Sequence, residues 1–180
     1  MTRTAVLTLD DLNAMDEDAF AGALGGVVEH SPWVARAAHA AQPFASVDDL
    51  QRALEAAMRA APRARQLDLI RAHPELAGRE ARAGELTAES AGEQARAGLD
   101  RLTASEVRAL EELNRAYRER FAFPFIVCVR EHTKDSLLAW GRERLAHGTD
   151  EEVAIALGEV TKIAGLRLRD LVASSPEDAA

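Results

Sequence analysis

Apolar residues recur every three or four positions along most of the chain. Phe20, Leu24, Val27 and Val28 fall on one face behind Asp16, and Leu50, Leu54 and Met58 fall behind Ser46-x-x-Asp49. Leu67 and Ile70 follow Pro62, while Leu110, Leu113, Tyr117 and Phe121 follow Thr103-x-x-Glu106. Leu138 and Leu145 follow a start at Thr133 or Asp135. Val160, Ile163, Ala164, Leu168 and Leu171 form a last stripe, in a segment opened by Asp150, Glu151 and Glu152. This is helical spacing, and the residues in front of each stripe are helix caps and first-turn acids. Ser31-Pro32 adds a cap followed by a proline at the first helical position, and Thr87 or Ser90 opens a further helix. The pattern predicts roughly eight helices and no alternating strand, so the class is all-α. The expectation is one compact multi-helix domain over residues 1–180, with 174–180 a frayed tail.

Two segments interrupt the helical pattern. His73 to Thr87 contains Pro74, Gly78 and Gly84, and Phe123-Pro124-Phe125-Ile126-Val127-Cys128 is a short apolar run around a proline. The second run has no partner strand elsewhere and reads as a buried, extended connector. Its backbone N–H and C=O groups then need partners, which a ligand, water or side chains can supply.

Composition narrows the class. The chain has 180 residues, 47% of them hydrophobic and 4% aromatic, so it can build a core. Its single cysteine, Cys128, excludes an intrachain disulfide and a thiolate metal cage. No apolar run approaches the ~18 residues of a membrane span, and Met1 to Asp10 lacks a signal peptide's apolar stretch, so a cytoplasmic protein without membrane contact is expected. The net charge of −8 argues against nucleic acid as a partner. No Walker loop, dinucleotide fingerprint, nucleophile elbow or metal-ligand spacing occurs.

Three features break the pattern in ways that bear on chemistry. Arg167 sits on or beside the apolar stripe of the last helix. A buried guanidinium needs a partner, either an internal acid or an anionic ligand. His73 precedes Pro74, which places it at a helix end, as a cap on the helix dipole or as a catalytic group. In Ser90-Ala91-Gly92-Glu93-Gln94, Ser90 and Glu93 form a capping box if Ser90 is the cap. If Thr87 is the cap, Ser90, Glu93 and Gln94 share one face as a polar patch. Cys128 reads as a buried structural thiol, and His30, His39, His132 and His147 read as surface residues.

Taken in order, six stretches resemble the OHCU (2-oxo-4-hydroxy-4-carboxy-5-ureidoimidazoline) decarboxylase family. They are Glu29-His30-Ser31-Pro32-Trp33, Arg71-Ala72-His73-Pro74-Glu75-Leu76-Ala77-Gly78, Ser90-Ala91-Gly92-Glu93-Gln94, Leu113-Asn114-x-x-Tyr117, Phe121-x-Phe123-Pro124-Phe125-Ile126-Val127 and Ile163-Ala164-x-Leu166-Arg167-Leu168. The resemblance implies an all-helical, cofactor-free and metal-free decarboxylase, a homodimer, acting on an anionic ureidoimidazoline to give (S)-allantoin. It implies His73 as the catalytic acid, Glu93 as the group that binds and orients substrate, and Arg167 as the contact to the substrate's polar edge. Pro74, Ser90, Ala91, Gly92, Gln94 and the connector Phe125, Ile126, Val127, Cys128 and Val129 would complete the pocket. The rival readings are a helical binding or dimerisation module without the chemistry, and a related lyase acting on another heterocyclic acid.

Overall fold

The computed structural model describes residues 7–78, 81 and 83–172. The expected fraying of 174–180 concerns residues outside this set. Nine α-helices occur among the described residues: α1 (Leu9–Asn13), α2 (Glu17–Ala23), α3 (Pro32–His39), α4 (Val47–Ala60), α5 (Arg63–Arg71), α6 (Ala88–Arg96), α7 (Ala104–Phe121), α8 (Lys134–Arg144) and α9 (Thr149–Leu171). The β-type pairing found among them is an isolated parallel bridge between Leu7 and Val172. No helix there is long and apolar enough to cross a membrane.

The caps follow the residues that announce them. Thr103 and Glu106 form a reciprocal capping box at α7, and Thr133 with Ser136 does so at α8. At α4 the Ser46 hydroxyl accepts from Asp49 N, but the Asp49 carboxylate turns one residue further back and accepts from Ala45 N at 3.2 Å. The short α1 lacks the length for a periodic signal, and its own box of Thr8 and Asp11 holds it. Helix α2 stops at Ala23, before Val27 and Val28 of the same apolar face. Gly25-Gly26 follows, and paired glycines lose too much backbone entropy to extend a helix.

The chain divides into two compact units. One comprises α1 to α4 with the end of α9 from Thr161 on. Its core includes Leu12, Phe20, Val34, Phe44, Leu50, Leu54 and Met58, together with Ala164 and Leu168 of α9. Helix α3 packs on both α2 and α4. Phe20 stacks on Phe44 and meets the edge of His39, whose Nε2 lies 3.1 Å from Met15 O. His39 is therefore half-buried in the packing, not a surface residue. Gln51 Nε2 donates to Thr161 O at 3.2 Å and joins α4 to α9.

The other unit spans Pro62–Val160. Helix α7 ends where Ala122 turns left-handed at φ 60°. Tyr117 then packs on both Phe121 and Phe125, and Phe121 on Phe123, with ring centroids 5.0–5.6 Å apart. Helix α8 packs on α7 at Gly141, where a Cβ would collide with the Leu113 side chain. Lys134 at the start of α8 pairs with Glu106 at 2.7 Å and holds that carboxyl down to about 2.

A charged network lies inside this unit. Arg144 and Glu152 are both 0% exposed and ion-paired. Glu152 also accepts from the Tyr117 hydroxyl at 2.8 Å and lies 3.1 Å from His147 Nδ1. His147 is thus a partner in the network, contrary to its reading as a surface residue, while His30 is exposed.

Candidate active site

Helix α5 delivers His73. The helix ends at Arg71, and Pro74 prevents its extension through position 73. His73 is buried, with Nδ1 3.1 Å from the Leu69 carbonyl oxygen one turn back. A carbonyl oxygen only accepts, so Nδ1 carries the proton, and Nε2 is the basic nitrogen of the neutral ring. The loop after His73 is gripped by two side-chain amides. Asn114 Nδ2 of α7 donates to Leu76 O at 3.0 Å, and Gln94 Oε1 of α6 accepts from Ala77 N at 2.9 Å. Ala77 is held at φ 46°, a left-handed conformation that a non-glycine residue adopts only when its surroundings enforce it. Gly78 is required beside it, since a Cβ there would lie 2.7 Å from Glu75 Cβ.

Helix α6 resolves the alternative left open by the sequence. Thr87 is the cap, and its hydroxyl accepts from Ser90 N at 3.2 Å. Ser90, Glu93 and Gln94 therefore share one face, and all three are buried. A polar face turned inward on an alanine-rich helix is unusual, because each group needs a partner there. Ala91 is exposed and Gly92 half-buried, so neither shares that face. Ala91 lines a mainly apolar hollow of about 450 Å³ with Ala77, Leu86, Leu99 and Val107, which Gln94 and Asp100 also border.

The connector is buried and extended, as its composition suggests, with Phe125, Ile126, Val127, Cys128 and Val129 all inside. Side chains supply two of its backbone partners. Arg144 Nη1 donates to Ile126 O at 2.7 Å, and Cys128 N donates to Glu159 Oε2 at 2.7 Å. The 3₁₀ turn that follows, Val129–Glu131, packs against α6. Burial pushes the Cys128 thiol up to about 11, with the charges of Glu131, Glu159 and Glu93 adding to the effect. Cys128 is thus a buried, neutral thiol.

The His73 loop, the polar face of α6 and the connector accordingly meet inside one unit, with Gln94 joining the first two. Arg167 belongs to the other unit. It is 5% exposed, donates from Nη1 to Gly26 O at 3.1 Å, and lies 3.7 Å from Glu29 Oε1, itself buried. The internal acid considered for this arginine is Glu29. Among the described residues no group of His, Cys, Asp and Glu could hold a metal ion.

Sequence reasoning passed over Asn114, Arg144 and Glu159. Asn114 lies in a quoted motif, but nothing in its spacing says what it holds. Arg144 stands three residues after Gly141 and seven after the buried Leu137, and Glu159 three after the buried Ala156. A charge at apolar-face spacing, the signal that singles out Arg167, marks both.

The family model for OHCU decarboxylase matches residues 13–169. A 2-oxo-4-hydroxy-4-carboxy-5-ureidoimidazoline decarboxylase of Haloferax volcanii is 44% identical over 168 residues, covering 93% of this chain and 98% of that protein. The crystal structure of (S)-allantoin synthase aligns with a TM-score of 0.73 at 31% identity, covering 94% of this chain and 55% of that chain. The crystal structure of OHCU decarboxylase in the presence of (S)-allantoin shares the fold, with a TM-score of 0.64 at 22% identity over 87% of this chain and 98% of that chain. With the motifs in order and the match running from the first helix into the last, the chain belongs to the OHCU decarboxylase family.

Proposed function

We propose that this protein is a carbon–carbon lyase of urate degradation that decarboxylates 2-oxo-4-hydroxy-4-carboxy-5-ureidoimidazoline to (S)-allantoin. The observation that carries the reading is the near full-length relationship to a protein named for that activity. The buried His73, Ser90, Glu93 and Gln94 set supports it.

In this reading the bond from the ring carbon to the carboxylate breaks, carbon dioxide leaves, and the electron pair stays on the ring carbon. The adjoining ring carbonyl or imine delocalises that pair, so the substrate supplies its own electron sink and no cofactor is called for. The protein must orient the carboxylate, stabilise the developing charge and deliver a proton to one face. His73 is the acid. Its Nδ1 is committed to Leu69 O, which leaves Nε2–H of the imidazolium to donate. Glu93 accepts hydrogen bonds from the substrate hydroxyl or ureido N–H groups and so fixes the face that is protonated. Arg167 offsets negative charge on the carboxylate or ring oxygen, while Glu29 limits the cost of burying the arginine. Pro74, Ser90, Gln94 and residues 125–129 line the pocket.

The reading extends to a single functional domain, since the family match runs through both units. It also extends to a cytoplasmic homodimer. The test is the full chain supplied with freshly generated ureidoimidazoline, followed by carbon dioxide release. Acceleration well above the spontaneous rate is expected, with weaker or no acceleration on close analogues. Loss of substrate at the spontaneous rate would overturn the reading.

A further inference from the structure

We propose that Glu159 and Arg144 are positioning residues, which fix the connector as a wall of the substrate site through buried hydrogen bonds to its backbone. The inference rests on the decarboxylase reading above. An extended segment without a neighbouring strand has no ladder to hold its peptide planes. Here two charges of opposite sign do so on either side of Val127. Arg144 holds the Ile126 carbonyl and Glu159 holds the Cys128 N–H, each at 2.7 Å. Charge-assisted bonds in a buried setting are short and strong.

Arg144 cannot swing away. Its Nε donates to Glu152 Oε1 at 2.9 Å, and its guanidinium lies 4.9 Å from the centroid of the Phe125 ring. One side chain therefore holds both the ring of Phe125 and the carbonyl of Ile126. Glu159 acts two residues further on, just before the turn that packs against the helix bearing Glu93. A tilt of the connector is passed directly to that helix. The stability of a buried ion pair would account for Arg144 with Glu152, but not for two separate buried charges ending on backbone groups that flank one residue.

The discriminating pair is Glu159→Gln and Glu159→Asp in the full-length chain. Gln keeps the length and an acceptor oxygen but loses the charge, whereas Asp keeps the charge and falls short of Cys128 N. Positioning predicts kcat/KM within about threefold of wild type for Gln. It predicts a fall of roughly 10- to 100-fold for Asp, the scale of a misplaced site element, together with loss of product handedness. Arg144→Lys, which keeps charge but cannot span both Glu152 and Ile126 O, is expected to behave like Glu159→Asp. Amide exchange at residues 127–129 is expected to accelerate in the Asp and Lys variants and not in Gln. Full activity and handedness in Glu159→Asp, or slow exchange in both impaired variants, would overturn the proposal. Should wild type show no turnover, the decarboxylase reading fails, and the exchange pattern still decides whether the clamp exists.

Discussion

His73 Nδ1 and the Leu69 carbonyl oxygen lie 3.1 Å apart, one turn from each other at the end of α5. That contact places the proton of the neutral ring on Nδ1, and in the proposed mechanism Nε2 is the nitrogen that transfers a proton. Replacing His73 with Asn keeps a donor near Leu69 O while removing the titratable nitrogen. The decarboxylation rate is expected to fall by roughly 10²–10⁴, the usual contribution of a positioned general acid. Far-ultraviolet circular dichroism should remain that of the native helical protein. Stereospecific product at the wild-type rate would show that His73 is not the acid.

Gln94 is expected to act on stability as well as on substrate. Its Oε1 accepts from Ala77 N at the residue held in left-handed backbone. Gln94→Ala leaves that N–H without its acceptor, at a cost of about 1–3 kcal/mol. Gln94→Glu restores an acceptor and should recover most of the loss. Urea titration of the three proteins measures both effects, and equal midpoints would refute the grip on the loop.

The interior of the second unit should be intolerant of half-measures. Removing one member of a buried pair leaves the other charge uncompensated, so Glu152→Ala is expected to cost about 3–5 kcal/mol. Arg144→Met together with Glu152→Leu removes both charges and should be less destabilised than Glu152→Ala. The double variant would nonetheless lose activity, because Ile126 O loses its donor. Denaturant midpoints and turnover on the same samples separate the two effects.

The fold class was legible because caps and apolar stripes act locally. Thr103-x-x-Glu106 forms the box its letters announce, and Pro74 stops α5 where proline must. The start of α6 was ambiguous, since Thr87 and Ser90 are both good caps. Only packing selects Thr87 and turns Ser90, Glu93 and Gln94 inward. The five-residue α1 is too short to carry a period at all. The candidate residues emerged separately, Arg167 as a charge on an apolar stripe, His73 as a histidine before the proline that ends a helix, and Glu93 as part of a polar patch, with their roles implied by family resemblance. What each polar group touches could not be read. The backbone groups held by Arg144, Glu159 and Asn114 lie 18 to 38 residues away along the chain, and nothing in local spacing names them.

Cys128 gives a prediction about pH. Burial raises its thiol to about 11, above the ordinary value of 9.0. The folded state therefore holds a proton that the unfolded state releases between about pH 9 and 11. Stability contributed at this site is expected to fall as pH rises through that window. At about pH 8, below both values, the native thiol should resist disulfide reagents and react fully once the chain is unfolded in guanidinium. Rapid labelling of the native protein would contradict the buried, neutral thiol.

The central claim is that this site protonates one face of the decarboxylated ring. The most direct measurement is circular dichroism of the allantoin formed when the wild-type chain acts on freshly generated ureidoimidazoline. The account predicts a signal of the (S) enantiomer that grows with the loss of substrate and is abolished in Glu93→Ala. Racemic allantoin from the wild-type protein, or undiminished (S) excess in Glu93→Ala, would contradict it.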